Sequence, residues 1–239
     1  MGIMVGSARI DEHGNIKGGA SGDQKQTAKT GDTKGEVSQQ PFYVHSKGWI
    51  ILRPKSSDLA DKLASLMITA CDNANIGYDQ GNRNGVLRYG VNTKTKTECD
   101  CSGLVRALIY WATGKDPGAF STSTETDKLM STGMFNKITF VSLAKTPVYN
   151  GDILVTKTKG HTVIVTSGSP RKTKQYYPMY TGTSVSIIDA LKAVGEKDTS
   201  KVHRKKIAAA NGMPNYTGTA EQNRKMLQLL KAGKLLKAN

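Results

Sequence analysis

Cys99-Asp100-Cys101-Ser102-Gly103-Leu104-Val105 and, further on, Gly160-His161-Thr162-Val163-Ile164-Val165 decide how this chain reads. The first stretch places a cysteine where a loop turns into a helix. The second places a histidine at the mouth of a β-branched strand. A thiol needs a base and a lowered pKa to act as a nucleophile near neutral pH. A nearby imidazole supplies the base, and a helix N-terminus supplies part of the lowering. A cysteine-bearing helix followed by an antiparallel meander bearing the histidine is an α+β layout. It reads as a cysteine hydrolase if the fold unites the two residues.

Upstream of the cysteine, Phe42 to Arg53 is aromatic and β-branched and reads as one or two strands ended by Pro54. Ser57 is expected to cap a helix over 58–71 whose inner face carries Leu59, Leu63, Leu66, Met67 and Ala70. Cys71 reads as plain core. The helix from Ser102 to about Thr113 carries Leu104, Val105, Leu108 and Ile109 and should be central. A short helix is expected near 125–131, then strands at 138–143, 152–156 and 162–167. Residues 1–40 show no lasting period and read as irregular, either wrapped on the domain or disordered.

Residues 171–183 read as a linker, and three helices follow it. Ser184 is expected to cap 185–194 with Val185, Ile188 and Leu191 inward. The second covers about 201–211. The third covers about 220–232 and opens with Thr219 and Gln222 as a capping box. Tyr-Thr-Gly-Thr occurs at 180–183 and again at 216–219, as a repeated helix start or an ordinary turn used twice. The expected organisation is therefore 1–170 catalytic, 171–183 linker and 184–239 helical module.

The net charge is +15, and residues 171–239 hold 14 Lys/Arg against 4 Asp/Glu, so two thirds of the excess lies there. Such a module suits a polyanion: nucleic acid, an anionic membrane or a teichoic-acid-bearing wall. No C2H2, RNP or helix-turn-helix pattern supports nucleic acid. Three cysteines, two of them one residue apart, do not make a disulfide scaffold. No signal peptide or membrane span is expected. No stable membrane insertion is expected, and the chain should be a monomer or weak homo-oligomer.

Cys101 is the expected nucleophile, because first-turn N–H groups and the helix dipole favour a thiolate and can hold an oxyanion. Cys99, outside the helix start, is the competing thiol. Cys99, Cys101 and His161 could instead ligate a metal, but a fourth ligand is missing; no metal or cofactor is expected. Among His13, His45, His161 and His203, the base is expected to be His161.

These motifs, with Asn150-Gly151-Asp152 and Ile76-Gly77-Tyr78-Asp79-Gln80, resemble the NlpC-type branch of papain-like cysteine peptidases, close to CHAP domains, over roughly residues 40–168. The resemblance implies a papain-like fold that hydrolyses peptidoglycan amides, with Cys101 as nucleophile and His161 as base. It places Tyr78, and with it Ser102, beside the oxyanion and substrate. It also implies a third polar residue on the strand after the histidine strand. That strand would fall in the linker, where Gln175 is conceivable; otherwise a backbone carbonyl could orient the ring. The whole arrangement is similar to phage endolysins of Gram-positive, especially clostridial, hosts. That resemblance implies synthesis in the host cytoplasm and action on the wall after release. The expected function is a peptidoglycan endopeptidase, with N-acetylmuramoyl-L-alanine amidase as the alternative and a basic nucleic-acid-binding protein as a distant one.

Overall fold

The computed structural model describes residues 2–27, 29–169 and 175–238. The chain forms two compact units, Met1–Arg171 and Lys172–Asn239.

The first unit contains β1 (Met4–Ala8), β2 (Val37–Pro41), β3 (Trp49–Pro54), α1 (Ser57–Cys71), β4 (Ile76–Tyr78), α2 (Gly85–Tyr89), β5 (Thr97–Cys99), α3 (Cys101–Thr113), α4 (Glu125–Ser131), β6 (Phe135–Thr139), β7 (Ile153–Thr156) and β8 (Thr162–Ser167). Six strands form an antiparallel sheet in the order β2-β1-β8-β7-β3-β6, and β4 and β5 form a parallel pair. The fold is α+β, but the sheet is not the simple meander expected: β3 lies between β6 and β7. The strand expected at 138–143 runs three residues earlier.

Residues 1–40 depart most from expectation. Their ends are not irregular: β1 pairs with the histidine strand β8, and β2 pairs with β1. Between them, two buried carboxylates pin the loop. Glu98 Oε1 accepts from the Gly22 N–H at 2.7 Å and from Gln24 Nε2 at 3.1 Å. Glu36 accepts from the Lys25 N–H and, at 2.8 Å, from the Tyr78 N–H. A charge-assisted bond to a backbone donor is about twice as strong as a neutral one, so a polar segment can be held without an apolar face.

Sheet alternation sorts the core. Ala8, Leu52, Ile153, Val155 and Ile164 meet Leu59, Leu63, Met67, Leu104 and Leu108 of α1 and α3. Val5, Trp49, Ile51, Leu154, Val163 and Val165 form a second cluster. Ser56, not Ser57, caps α1. A Cβ on Gly6 would lie 2.6 Å from Met67 Cγ, so this glycine lets α1 approach β1. Gly151 has φ +75°, and its Cβ would lie 2.1 Å from the Ala60 carbonyl oxygen. Beside it, Asp152 takes a bidentate pair from Arg53, so the Asn-Gly-Asp motif braces the turn into β7.

The second unit holds α5 (Ile187–Ala193), α6 (Lys201–Ala210) and α7 (Ala220–Lys231) around Leu191, Ile207, Met226, Leu227 and Leu230. Thr219 and Gln222 complete the capping box. Ser186, not Ser184, caps α5, and Val185 is 88 % exposed, which reverses its expected inward place. This unit also takes in part of the expected linker: Tyr177 is buried in its core, and Tyr176 bridges to Leu236. Residues 171–174 lie outside the described residues.

Candidate active site

The Cys101 helix starts where it does because Asp100 caps it, accepting the Gly103 N–H. Arg83 holds this cap. Its Nη2 donates to Asp100 Oδ1 at 3.1 Å, to Ser102 Oγ at 2.7 Å and to the Phe120 carbonyl at 2.8 Å. A Cβ on Gly103 would lie 2.5 Å from the Arg83 carbonyl oxygen, so only glycine admits this strut. On the other side, the His161 N–H donates to Thr156 Oγ1 at 3.0 Å, and the Gly160 N–H donates to Thr122 Oγ1 at 3.1 Å, fixing the start of β8.

These two anchors bring Cys101 and His161 to one pocket of about 540 Å³, with Tyr78, Gln80, Gly160 and His45 also in its wall. No hydrogen bond joins Sγ to the imidazole among the described residues. The backbone N–H groups of Thr162 and Ser102 face the sulfur and favour its anion. Burial outweighs them: with Asp100 and Glu125 adding repulsion, the Cys101 thiol is pushed up to about 12. Burial, then the neighbouring His45 and the Arg9 guanidinium, push His161 down to about 4. The empty site is therefore a neutral thiol beside a neutral imidazole. The lowered thiol pKa expected from the helix dipole is not found, because desolvation of a thiolate costs more than a helix end returns.

Cys99 and Cys71 are fully buried, and burial pushes both thiols up further. Cys101 is the one cysteine with surface exposure.

Tyr78 lines the pocket, but its hydroxyl donates to the Ile16 carbonyl and accepts from Gln80 Nε2 at 3.0 Å. Ser102 spends its hydroxyl on Arg83 and Asp100, so its backbone N–H is what faces the sulfur. Gln175 belongs to the second unit, where its carbonyl accepts from the Lys237 N–H. The imidazole's partner is instead Ser7: its Oγ lies 3.2 Å from His161 Nε2, and Ser7 is 2 % exposed. The strand beside the histidine strand is β1, from the other end of the domain.

Sequence reading also missed Glu125. It is fully buried behind the thiol and accepts from Thr162 Oγ1 at 2.8 Å. Burial raises it to about 8, so it stays protonated near neutral pH. One group among the described residues gathers potential metal ligands, Asp11, Glu12 and His13, and there His13 Nδ1 pairs with Glu12 Oε1 at 2.6 Å.

Cys101 at the start of α3 and His161 just ahead of β8 thus line one pocket. Residues 5–172 match the endolysin-like domain, and the chain belongs to that family. Membership supports a peptidoglycan-hydrolase-like function and enzymatic activity in general. No curated protein and no solved structure matches the chain. No described helix is long and apolar enough to cross a membrane.

Proposed function

We propose that this protein is a papain-like cysteine endopeptidase that cleaves an amide bond of the peptidoglycan stem peptide. The observation that carries the reading is the shared pocket of Cys101 and His161, with the Ser102 N–H of α3 and the Thr162 N–H of β8 beside the sulfur. In the tautomer that donates Nε2–H to Ser7 Oγ, Nδ1 carries the lone pair. It takes the Cys101 proton as sulfur attacks the amide carbon, so proton transfer and S–C bond formation proceed together. The Cys101 and Ser102 N–H groups receive the developing oxyanion. The imidazolium then protonates the departing nitrogen, the C–N bond breaks, and a thioester remains. Water, deprotonated by His161, hydrolyses it to a carboxylate and regenerates the thiol. Ser7 is the positioning residue of this dyad, in the place considered above for Gln175.

The second unit, basic and with its own core, is proposed to hold the wall through peptidoglycan and its anionic teichoic acid. No role for nucleic acid is proposed. The catalytic reading is tested by clearing of purified wall suspensions. Wild type should clear them and Cys101→Ala should not, with equal melting temperatures; clearing by Cys101→Ala would reject it.

A further inference from the structure

Ser7 of β1 meets the imidazole, and Arg9 follows the end of that strand two positions on. Arg9 lines the catalytic pocket, as do His45 and Lys47, and among the described residues no Asp or Glu lines it. The guanidinium is held in place: Nε donates to Ser38 Oγ at 3.0 Å and Nη2 to the Thr33 carbonyl at 3.3 Å. The Arg9 backbone N–H is anchored as well, on the Glu36 carbonyl at 3.0 Å. Among the described residues no carboxylate pairs with Arg9. A partly buried, pre-oriented guanidinium without an acid is a fork for a planar anion, because its parallel N–H donors match the two oxygens of a carboxylate.

We propose that Arg9 forms a carboxylate-binding subsite of the cleft, which selects wall peptides carrying a free carboxylate beside the scissile amide. This rests on the proposed peptidase reading and names the substrate feature that site reads. Lys47 adds a second cation at the rim and His45 a third donor. The subsite also serves the chemistry. Arg9 repels a proton on His161, and a carboxylate bound at Arg9 offsets that repulsion, so a correct substrate strengthens the base that takes the thiol proton. A purely structural Arg9, tying β1 to β2 and the loop before it, would be indifferent to the substrate's charge.

The test uses two short stem peptides that differ only in that group, carboxylate against carboxamide. For wild type, kcat/KM should favour the carboxylate by about tenfold or more, the size of one charged hydrogen-bonded contact. The ratio should fall toward one in R9Q and to an intermediate value in R9K, which keeps the charge without the fork. Binding of both peptides to full-length Cys101→Ala gives the same comparison without turnover. Preference there with no hydrolysis by wild type upholds the subsite and rejects the peptidase reading. Hydrolysis of both peptides at equal rates, an unchanged ratio in R9Q, or no binding of either peptide to Cys101→Ala overturns the subsite.

Discussion

Ser7 Oγ lies 3.2 Å from His161 Nε2, across 154 positions of sequence. The strand pair β1–β8 makes that contact, so the N-terminal segment is part of the catalytic unit. Ser7→Ala removes one hydrogen bond of about 1 kcal/mol and frees the ring to rotate. The expected result is a fall in kcat of roughly fivefold to tenfold with KM unchanged. Wild-type kcat in Ser7→Ala would remove Ser7 from the mechanism.

Alkylation of Cys101 should follow its buried state. With the thiol pushed up to about 12, iodoacetamide should react slowly at pH 7 and faster as pH rises past 9. A rate already at its plateau by pH 7 would show a thiolate that this geometry does not provide. Because the imidazole is neutral above about pH 4, the acid limb of kcat/KM should lie near that value.

Glu125 links stability to pH. Its folded pKa of about 8 stands above the ordinary 4.5. Its contribution is therefore full at low pH, where both states hold the proton. It declines as pH rises from 4.5 to 8, by up to roughly 5 kcal/mol, because the unfolded carboxyl ionises first. Glu125→Gln keeps an acceptor for Thr162 and has no proton to lose. It should leave the melting temperature near wild type at pH 4.5 and raise it by several degrees at pH 8. An equal effect at both pH values would mean that Glu125 does not titrate in this range.

Wall retention should track the charge of the second unit. In full-length Cys101→Ala, which does not degrade its target, Lys205→Glu with Lys206→Glu should weaken binding to purified walls several-fold at low salt. The difference should shrink as salt screens it. Undiminished binding would place wall recognition elsewhere.

Much of the site was legible because its signals are local. Cys101 at a helix start and Gly160-His161 opening a strand are each written within a few residues, whereas the Arg83 strut on Asp100 and Gly103 comes from a loop well upstream and was not. The β1 segment was not legible. Met-Val-Gly-Ser-Ala is short and small-residued, its glycine answers to Met67 of a distant helix, and its partner strand is 160 residues away in sequence. Ser7 and Arg9 were hidden for that reason. The pinning of residues 18–27 escaped because single carboxylates, Glu36 and Glu98, do the work of a hydrophobic face. The thiol's pKa was misjudged because sequence shows a helix start but not the depth at which it is buried. Val185 fits a helical apolar stripe only if Ser184 caps; with the cap two residues later, at Ser186, it faces solvent.

Mass spectrometry of the fragments released from purified walls tests the central claim most directly. Wild type should release new amino ends within the stem peptide, Cys101→Ala and His161→Ala should release none, and no new reducing sugar ends should form. The same amino ends from Cys101→Ala, or cleavage confined to the glycan, would contradict it.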